Sequence, residues 1–230
     1  MITLFELAGA DPERRFSPYC WRIRMALRHK GLQFDSVAWR FTEKEKISFA
    51  GSDKVPVLKD GAFAVHDSPV IAAYLEETYP DRPSLFGGTT AQAVARFVMD
   101  WNEMVMNPSL FRILALDIGA HVAPEDKDYY TRSREARIGM KLEEFCADRD
   151  SRIDAFRSLL APLRRTLANQ PFLSGEDPAW ADYVIFGSFQ WARCVSPAKL
   201  LEADDPVYLW REKMLDLFDG EARKAVGYPV

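Results

Sequence analysis

The spacing of apolar residues changes along the chain and divides it into two regions. Short apolar or alternating runs in residues 1–79, such as "ITLFEL" and "QFDSVAW", predict strands, and "VPVLKDGAFAVHD" predicts two more strands joined at Asp60-Gly61. Helical spacing of apolar positions predicts helices that start at Ser17 and at Ser68. A short polar segment, "TEKEKISF", follows the second predicted strand and is given as a possible short helix. The order of predicted elements is then β-α-β-(α)-β-β-α. This order predicts a compact α/β domain with a mixed four-stranded sheet.

The segment "PDRPSLFGG" contains both residue types that break helices and strands, and residues 80–90 are predicted to be a linker. After it the strand signals disappear, and residues 91–230 are predicted to form an all-helical domain. The helical patterns cover residues 91–106, 109–120, 125–149, 151–169, 179–195 and 206–218. The predicted fold class is therefore an α/β domain followed by an all-α helical bundle.

The stretch "RFSPYCWRIRMALRHKG" predicts a helix with well-marked ends. Ser17 can accept a hydrogen bond from an unpaired N–H of the first turn, and Pro18 suits the first helical position, which needs no N–H. Basic residues in the last turn complement the negative end of the helix dipole, and Gly31 is a good stop. The apolar stripe of this helix is predicted at Tyr19, Ile23, Ala26 and Leu27.

Composition argues against several classes of function. The net charge of −4 gives no reason to expect nucleic acid or an anionic membrane as the main partner. No apolar run approaches about 18 residues, so we expect no membrane insertion. The N-terminus lacks the pattern of a signal peptide, and the three cysteines are widely separated, so a cytoplasmic location is expected. The three histidines show no ligand spacing with any cysteine, and no metal site is expected.

Several motifs, taken in their order, resemble the cytosolic glutathione S-transferase superfamily. Ser-Pro-Tyr-Cys follows the first strand, Val55-Pro56 opens the third, and Asp67-Ser68 starts the next helix. The stretches "SPYCWRIRMALRHKG", "KVPVLKDG", "DSPVIAAYLEETYPDRPSLF", "DKDYYTRSRE" and "DLFDG" look most like the bacterial β-etherase branch and its fungal relatives. The resemblance covers nearly the whole chain. It implies a thioredoxin-like N-terminal domain, glutathione as co-substrate, a hydrophobic aromatic second substrate and a homodimer.

Under this resemblance Ser17 is the catalytic residue. A helix N-terminus presents unpaired N–H groups and a partial positive charge, which favour a thiolate, and a serine hydroxyl can donate a hydrogen bond to the sulfur. A plain helix cap is the alternative interpretation of Ser17. In a Cys-Pro-x-Cys redox motif the first cysteine is the nucleophile, and Ser17 stands in its place. We therefore expect Cys20, one turn inside the helix, to be a buried core residue.

The resemblance also implies a glutathione-binding set, which is Lys54, Val55, Pro56, Asp67 and Ser68. Pro56 is then a cis-proline, and the backbone of Val55 pairs with the cysteinyl unit of glutathione like an added strand. Ser68 and its N–H take the γ-glutamyl carboxylate and Asp67 takes the ammonium, because a helix N-terminus suits an anion and a carboxylate suits a cation. Without the resemblance, the same residues are typical of a strand start and a helix cap.

The glycyl carboxylate of glutathione needs a basic partner. Lys54 stands just before Val55, where the family often has a polar or basic residue facing that carboxylate. Arg40 and Lys44 are rivals for this role, and either could be a solvated surface charge.

The acceptor substrate is expected to bind in a mostly apolar pocket between the two domains. The candidates are aromatic or Met residues of the helical domain, namely Trp101, Met104, Phe111 and Trp191. Each of them fits an ordinary core position as well. The charged loop "AGADPERRF", residues 8–16, is expected to rim this pocket.

One position departs from the family's pattern. The stretch "LSGEDPAWADYVIFG" resembles a buried helix that usually starts with Ser or Thr three residues before an Asp, as a capping box. Here that position is Ala179, and Asp182 is retained. We expect Asp182 to bond backbone N–H groups at the start of the helix.

Two classes of function follow from these residues. The first is a glutathione-dependent transferase that attacks an aryl ether or another aromatic electrophile, with a general detoxifying transferase or a thiol-dependent reductase as alternatives within the enzyme class. The second is a non-catalytic module of the same fold that binds ligands or partners. The intact motifs at Ser17, Val55-Pro56 and Asp67-Ser68 favour the first class, because a pure scaffold need not keep a thiolate site.

Overall fold

The computed structural model describes residues 1–229, and its N-terminal part is a four-stranded mixed sheet. The strands, in the sheet order β2-β1-β3-β4, are β1 (Ile2–Leu7), β2 (Phe34–Trp39), β3 (Val57–Asp60) and β4 (Phe63–His66). β1 pairs with β2 in parallel and with β3 antiparallel, and β3 and β4 form the hairpin predicted at Asp60-Gly61. Helices α1 (Pro18–His29) and α2 (Ser68–Thr78) complete the thioredoxin-like domain.

The chain after this domain is helical. The helices are α3 (Thr89–Trp101), α4 (Asn107–His121), α5 (Lys127–Ile138), α6 (Leu142–Phe145), α7 (Arg149–Leu159), α8 (Ala161–Leu167), α9 (Trp180–Val195) and α10 (Pro206–Gly220). A π turn at Asn102–Met106 joins α3 to α4. The predicted fold class, a mixed-sheet domain followed by a helical domain, is confirmed. Within residues 1–229, no helix has both the length and the apolar character needed to span a membrane.

Two of the predicted helices are each broken in two. The pattern over residues 125–149 is interrupted after α5, where Gly139 has a positive φ of 75°. The pattern over residues 151–169 is interrupted at Leu160, just before Pro162 in the first turn of α8. A proline inside a helix removes a backbone hydrogen bond, so the helix starts again there. The prediction of helical content was right and the prediction of continuous helices was wrong.

Helix α9 approaches α1 closely at Gly187. A Cβ atom on Gly187 would lie 2.5 Å from the carbonyl oxygen of Pro18 and 3.3 Å from Cγ of Arg22, so this position has room only for glycine. All of α9 except Arg193 is buried. This contact fixes the first turn of α1 against the helical domain.

Helix α1 is consequently buried on more sides than the predicted stripe. Ile23 is fully buried as expected, but Tyr19 is 36% exposed, while Trp21 and Arg22 are buried. The reason is that α1 lies between the sheet and α9, so that two of its faces are covered.

The segment predicted as a linker is attached to the N-terminal domain through Lys30. This buried side chain donates hydrogen bonds to the carbonyl oxygens of Tyr79 and Pro83, at 3.2 Å each, and pairs with Glu76 at 2.8 Å. Leu85, within the same segment, is fully buried. The connection between the domains is therefore a packed part of the structure.

Candidate active site

Ser17 lies at the buried N-terminus of α1, as the sequence predicts for a cap. Its Oγ accepts a hydrogen bond from the N–H of Cys20 at 3.3 Å, and Ser17 is 4% exposed. The first turn of α1 contains no acidic residue, so no carboxylate of that turn neutralises the positive end of the helix dipole. An anionic sulfur placed here is favoured by the dipole. Pro18 has no N–H, and the N–H groups of Cys20 and Trp21 are bonded to Ser17.

Cys20 is fully buried one turn into α1, which confirms the prediction that it is a core residue. Burial, with a smaller contribution from the Glu6 carboxylate, raises the pKa of its thiol to about 12, although the hydrogen bond with Ser17 lowers it. Because the thiolate is the reactive form of cysteine, a thiol with this pKa is inert at neutral pH. Of the two polar side chains at this helix end, Cys20 is therefore not a candidate nucleophile.

The fold brings the Val55-Pro56 and Asp67-Ser68 motifs together. The Val55–Pro56 peptide bond is cis, as the resemblance implies, and the N–H of Asp67 donates to the carbonyl oxygen of Pro56 at 3.4 Å. Within residues 1–229 the backbone of Val55 makes no hydrogen bond. Its N–H and carbonyl are thus available to an extended peptide-like ligand.

Asp67 and Ser68 form the start of α2 and differ in exposure. Asp67 has a φ of 73°, a conformation that residues other than glycine rarely adopt and that persists only where the surroundings hold it. Its exposed carboxylate makes no ion pair within residues 1–229. Ser68 is fully buried, and its Oγ accepts a hydrogen bond from Nη1 of Arg22 at 3.5 Å. An exposed carboxylate therefore lies directly beside a helix N-terminus.

The three basic candidates for the glycyl carboxylate are not equally available. Arg40 pairs with Glu125 at 2.6 Å, and Lys44 pairs with Asp53 at 3.2 Å. Lys54 is exposed, and its ammonium has no partner in the part of the chain that the structure describes. The geometry thus favours Lys54 over its two rivals.

A buried polar network around Arg22 connects the two domains behind this site. Arg22 is fully buried and donates to Glu103 at 2.9 Å and to Asn102 at 2.8 Å, besides its contact with Ser68. Asn102 in turn donates to the hydroxyl of Ser188 on α9 at 2.9 Å. Asn102 and Glu103 lie in the π turn, a local irregularity that helices often show at functional sites.

Asp182 takes over the capping role at the start of α9, as the sequence predicts. Its carboxylate accepts hydrogen bonds from the backbone N–H groups of Leu173, Ser174 and Ala179 at 2.8, 3.0 and 3.2 Å. It also accepts one from the indole of Trp210 at 2.9 Å. The missing Ser or Thr at position 179 is therefore offset by four donors on one buried carboxylate.

The acceptor-side candidates do not all lie together. Phe111 and Trp191 stack, with ring centroids 6.4 Å apart and planes 14° apart, and Phe145 lies 5.6 Å from Phe111. Trp101 is half-buried at the end of α3, while Met104 is 78% exposed in the π turn. The structure thus brings Phe111 and Trp191 into one aromatic surface and leaves Met104 outside it.

Three arginines near these residues were not singled out from the sequence: Arg22, Arg134 and Arg137. The sequence did contain a signal for Arg22, because a cation inside a run of buried helical positions needs partners. Arg134 and Arg137 belong to the polar stretch "KDYYTRSREARI", and no local pattern distinguishes them from surface charges.

A polar cavity of about 760 Å³ lies elsewhere, between α1, β2 and the end of α10. Arg15, Arg24, Arg28 and Glu221 are among its lining residues, and the cavity includes none of the predicted glutathione or acceptor residues. Arg24 and Arg28 both pair with Glu221, so the acidic and basic groups there largely neutralise each other.

Comparisons with known proteins agree with this architecture. Residues 16–78 match the model of the glutathione S-transferase N-terminal domain, and residues 93–207 match that of the glutathione S-transferase C-terminal domain. The chain is 26% identical to the glutathione S-transferase-like protein ustS of Aspergillus flavus, over 96% of this chain and 87% of that protein.

Two solved structures are similar in fold. A glutathione S-transferase of Ceriporiopsis subvermispora in complex with glutathione has a TM-score of 0.74 and 23% identity, over 97% of this chain and 94% of that one. A glutathione transferase of Phanerochaete chrysosporium has a TM-score of 0.76 and 24% identity, over 95% and 92%.

Proposed function

The chain belongs to the glutathione S-transferase family, and from this premise we propose that it binds glutathione and activates its thiol at Ser17 for attack on a hydrophobic aromatic electrophile. The observation that carries the proposal is the position of Ser17, at a helix N-terminus without an acidic residue in its first turn. The glutathione complex of the similar fungal structure supports glutathione as the co-substrate.

The energy that this activation needs is modest. A thiol such as that of glutathione has an unperturbed pKa near 8.5, so a downward shift of about two units makes it mostly thiolate at neutral pH. Such a shift requires about 2.7 kcal/mol of preferential stabilisation of the anion. One hydrogen bond from Ser17 together with the dipole of α1 can supply that amount.

Glutathione then lies along the edge that the two motifs form. Its cysteinyl unit pairs with the unbonded backbone of Val55, and its ammonium meets the exposed carboxylate of Asp67. Ser68 and the N-terminus of α2 take the γ-glutamyl carboxylate, and Lys54 meets the glycyl carboxylate. The juxtaposition of Asp67 with cis-Pro56 supports this placement.

The reaction we propose is cleavage of a β-aryl ether that has a carbonyl beside the ether carbon. The thiolate attacks that carbon, a C–S bond forms, the C–O bond breaks, and the phenolate leaves and takes up a proton from water. No electrons are exchanged with a third compound, so glutathione is the only co-substrate that the step needs. The protein lowers the thiol pKa, excludes water and orients the two substrates.

We also propose that the protein is a cytoplasmic homodimer. Val94, Phe97 and Met104 are 62%, 73% and 78% exposed, and they recur at helical spacing on α3 and the π turn. A row of large exposed apolar side chains is typical of a surface that a partner covers, and a second copy is the partner we propose. Light scattering measures whether the mass in solution is twice that of the chain.

The test is a comparison of electrophiles with glutathione held constant. Incubation with a fluorogenic α-aryloxy ketone is expected to release the phenol and to leave a glutathione thioether. If neither enantiomer releases phenol while aryl halides or mixed disulfides react, a general transferase or a thiol-dependent reductase replaces the etherase. If no electrophile consumes glutathione, the non-catalytic binding module replaces both.

A further inference from the structure

Aromatic side chains from both domains approach each other beside Ser17. Phe16, the residue before Ser17, lies 6.4 Å from Phe41, ring centroid to ring centroid, and Phe41 lies 6.0 Å from Tyr130 of α5. The stack of Phe111 on Trp191 is on the helical domain's side. The rings of Phe16, Phe41 and Tyr130 thus extend from the residue before Ser17 to α5.

Two arginines of α5, one helical turn apart, lie on these rings. The Cζ atom of Arg134 is 4.8 Å from the ring centroid of Phe41 and 4.9 Å from that of Tyr130. The Cζ atom of Arg137 is 5.0 Å from the ring centroid of Phe111. Stacking on a ring face holds a guanidinium plane in place and leaves the N–H groups at its edge available to an acceptor.

Arg137 also has an electrostatic effect on Tyr19, two residues after Ser17. Burial of the hydroxyl raises the pKa of Tyr19, the charge of Arg22 lowers it and the Glu103 carboxylate raises it. The hydrogen bond with Asn107 and the charge of Arg137 lower it as well.

Neither Arg134 nor Arg137 has a carboxylate partner within residues 1–229. Arg134 donates one side-chain hydrogen bond, to the hydroxyl of Ser133 at 2.9 Å, and no ion pair to Arg134 or Arg137 is present in that part of the chain. Burial lowers the pKa of Arg134, the nearby phenol of Tyr130 raises it, and the charge of Arg137 lowers it.

Four carboxylates near these rings and arginines are engaged elsewhere. Glu103 pairs with Arg22, and Asp117 pairs with Arg149. Glu135 pairs with Lys141. Asp126 is buried and accepts hydrogen bonds from the backbone N–H of Phe41 and from the hydroxyl of Thr42. None of these four carboxylates forms an ion pair with Arg134 or Arg137.

This inference rests on the proposed function. We propose that the acceptor substrate is an aromatic compound that bears an acidic group, either a carboxylate or a sulfonate. Arg134 and Arg137 bind this acidic group. The aromatic ring of the acceptor packs against Phe111 and Phe41, and its acidic group meets the edges of the two guanidinium planes. A planar guanidinium binds such oxyanions through paired hydrogen bonds. The acceptor pocket thus selects by charge as well as by apolar character.

The test uses two glutathione conjugates as probes, S-(para-carboxybenzyl)glutathione and its neutral isostere S-(para-carbamoylbenzyl)glutathione. Isothermal titration calorimetry on the intact protein is expected to show that the acidic conjugate binds about five- to tenfold more tightly, a typical effect of charge-assisted hydrogen bonds at a half-exposed site. In the double variant Arg134→Gln/Arg137→Gln this preference is expected to disappear, while the neutral conjugate binds as it does to the unchanged protein.

Arg132→Gln is the matched control, because Arg132 belongs to the same helix and its side chain is 80% exposed to solvent. This variant is expected to keep the full preference. Equal affinity of the unchanged protein for the two conjugates would overturn the inference, and so would a preference that survives the double variant.

Failure of both conjugates to bind would instead remove the glutathione site and the proposed function with it. Should the double variant not fold, Arg137→Gln alone, at an exposed side chain, is expected to reduce the preference, and an unchanged preference would count against the inference.

Discussion

The glutathione side and the acceptor side of the site are built in different ways. The proposed glutathione side comes from residues 17–68 of one small domain, and most of its groups lie at or beside the start of a helix or strand. The acceptor side combines Phe16 and Phe41 of the first domain with α4, α5 and α9 of the second. A site built from the ends of helices and strands leaves local sequence motifs. A site built from the faces of helices that are distant in sequence leaves few such motifs. The contact between α1 and α9 holds the two sides together.

The largest predicted effect comes from disrupting the contact between α1 and α9. Gly187→Ala places a methyl group 2.5 Å from the backbone oxygen of Pro18, and backbone cannot move aside as a side chain can. We expect a loss of about 1–3 kcal/mol in the free energy of unfolding, measured with urea, together with weaker binding on both sides of the site.

Gly119→Ala is the matched control, because the added methyl group would meet the side chain of Tyr130 at 3.4 Å, an ordinary contact. This variant is expected to be as stable as the unchanged protein or up to about 1 kcal/mol more stable, since alanine is the better helix former. Equal effects of the two substitutions would show that the close approach at Gly187 does not matter.

Ser17→Ala removes the hydrogen bond that we propose to the sulfur and leaves the helix N-terminus in place. Turnover is expected to fall by about tenfold or more, which corresponds to roughly 1.4 kcal/mol, and some activity is expected to survive. Cys20→Ala is the comparison, because its inert thiol takes no part in the proposed step. Steady-state rates that fall for Cys20→Ala and stay constant for Ser17→Ala would contradict the assignment.

Asp67→Asn separates binding from chemistry on the glutathione side. The substitution removes the charge that we propose meets the ammonium of glutathione, an interaction that would be the same before and during the reaction. We expect a higher KM for glutathione and a smaller change in kcat. A change confined to kcat, or a bound glutathione whose ammonium points away from Asp67, would contradict the proposed placement.

The smallest predicted effect concerns pH and lies away from the chemistry. His29 of α1 forms hydrogen bonds with the Tyr183 hydroxyl at 2.7 Å and the Ser84 carbonyl at 3.0 Å, and burial lowers its pKa. Because the folded pKa is below the unfolded value of about 6.5, this group's contribution to stability is present above that pH and is lost as the pH falls.

The difference in unfolding free energy between about pH 7.5 and pH 5.5 is therefore expected to be smaller in His29→Gln than in the unchanged protein. Burial also lowers the pKa of His121, which contributes equally to both proteins and cancels in the comparison. Identical pH dependence of the two urea midpoints would show that His29 makes no such contribution.

The sequence was sufficient for the features that depend on local chemistry. The cap at Ser17, the Asp60-Gly61 hairpin and the capping carboxylate Asp182 each follow from residue types at fixed spacing, and the structure has them where they were predicted. Cys20 could also be assigned to the core, because Ser17 occupies the place of the exposed cysteine.

The remaining features depend on contacts between distant segments. Arg134 and Arg137 look like solvated charges in the sequence, and only the packing of α5 against Phe41 and Phe111 gives them a common location. The exposure of Tyr19 follows from where α9 covers α1, which no property of the α1 sequence reports. Propensity and spacing thus predicted the elements, while tertiary packing determined which side chains meet.

The central claim is that the N-terminus of α1, with Ser17, converts the thiol of bound glutathione into a thiolate. The direct measurement is a pH titration of the thiolate's ultraviolet absorbance for glutathione bound to the unchanged protein and to Ser17→Ala. We predict a pKa about two units below the unperturbed value of about 8.5 in the unchanged protein, and a higher pKa in the variant. A bound thiol that titrates near 8.5 in both proteins would contradict the account.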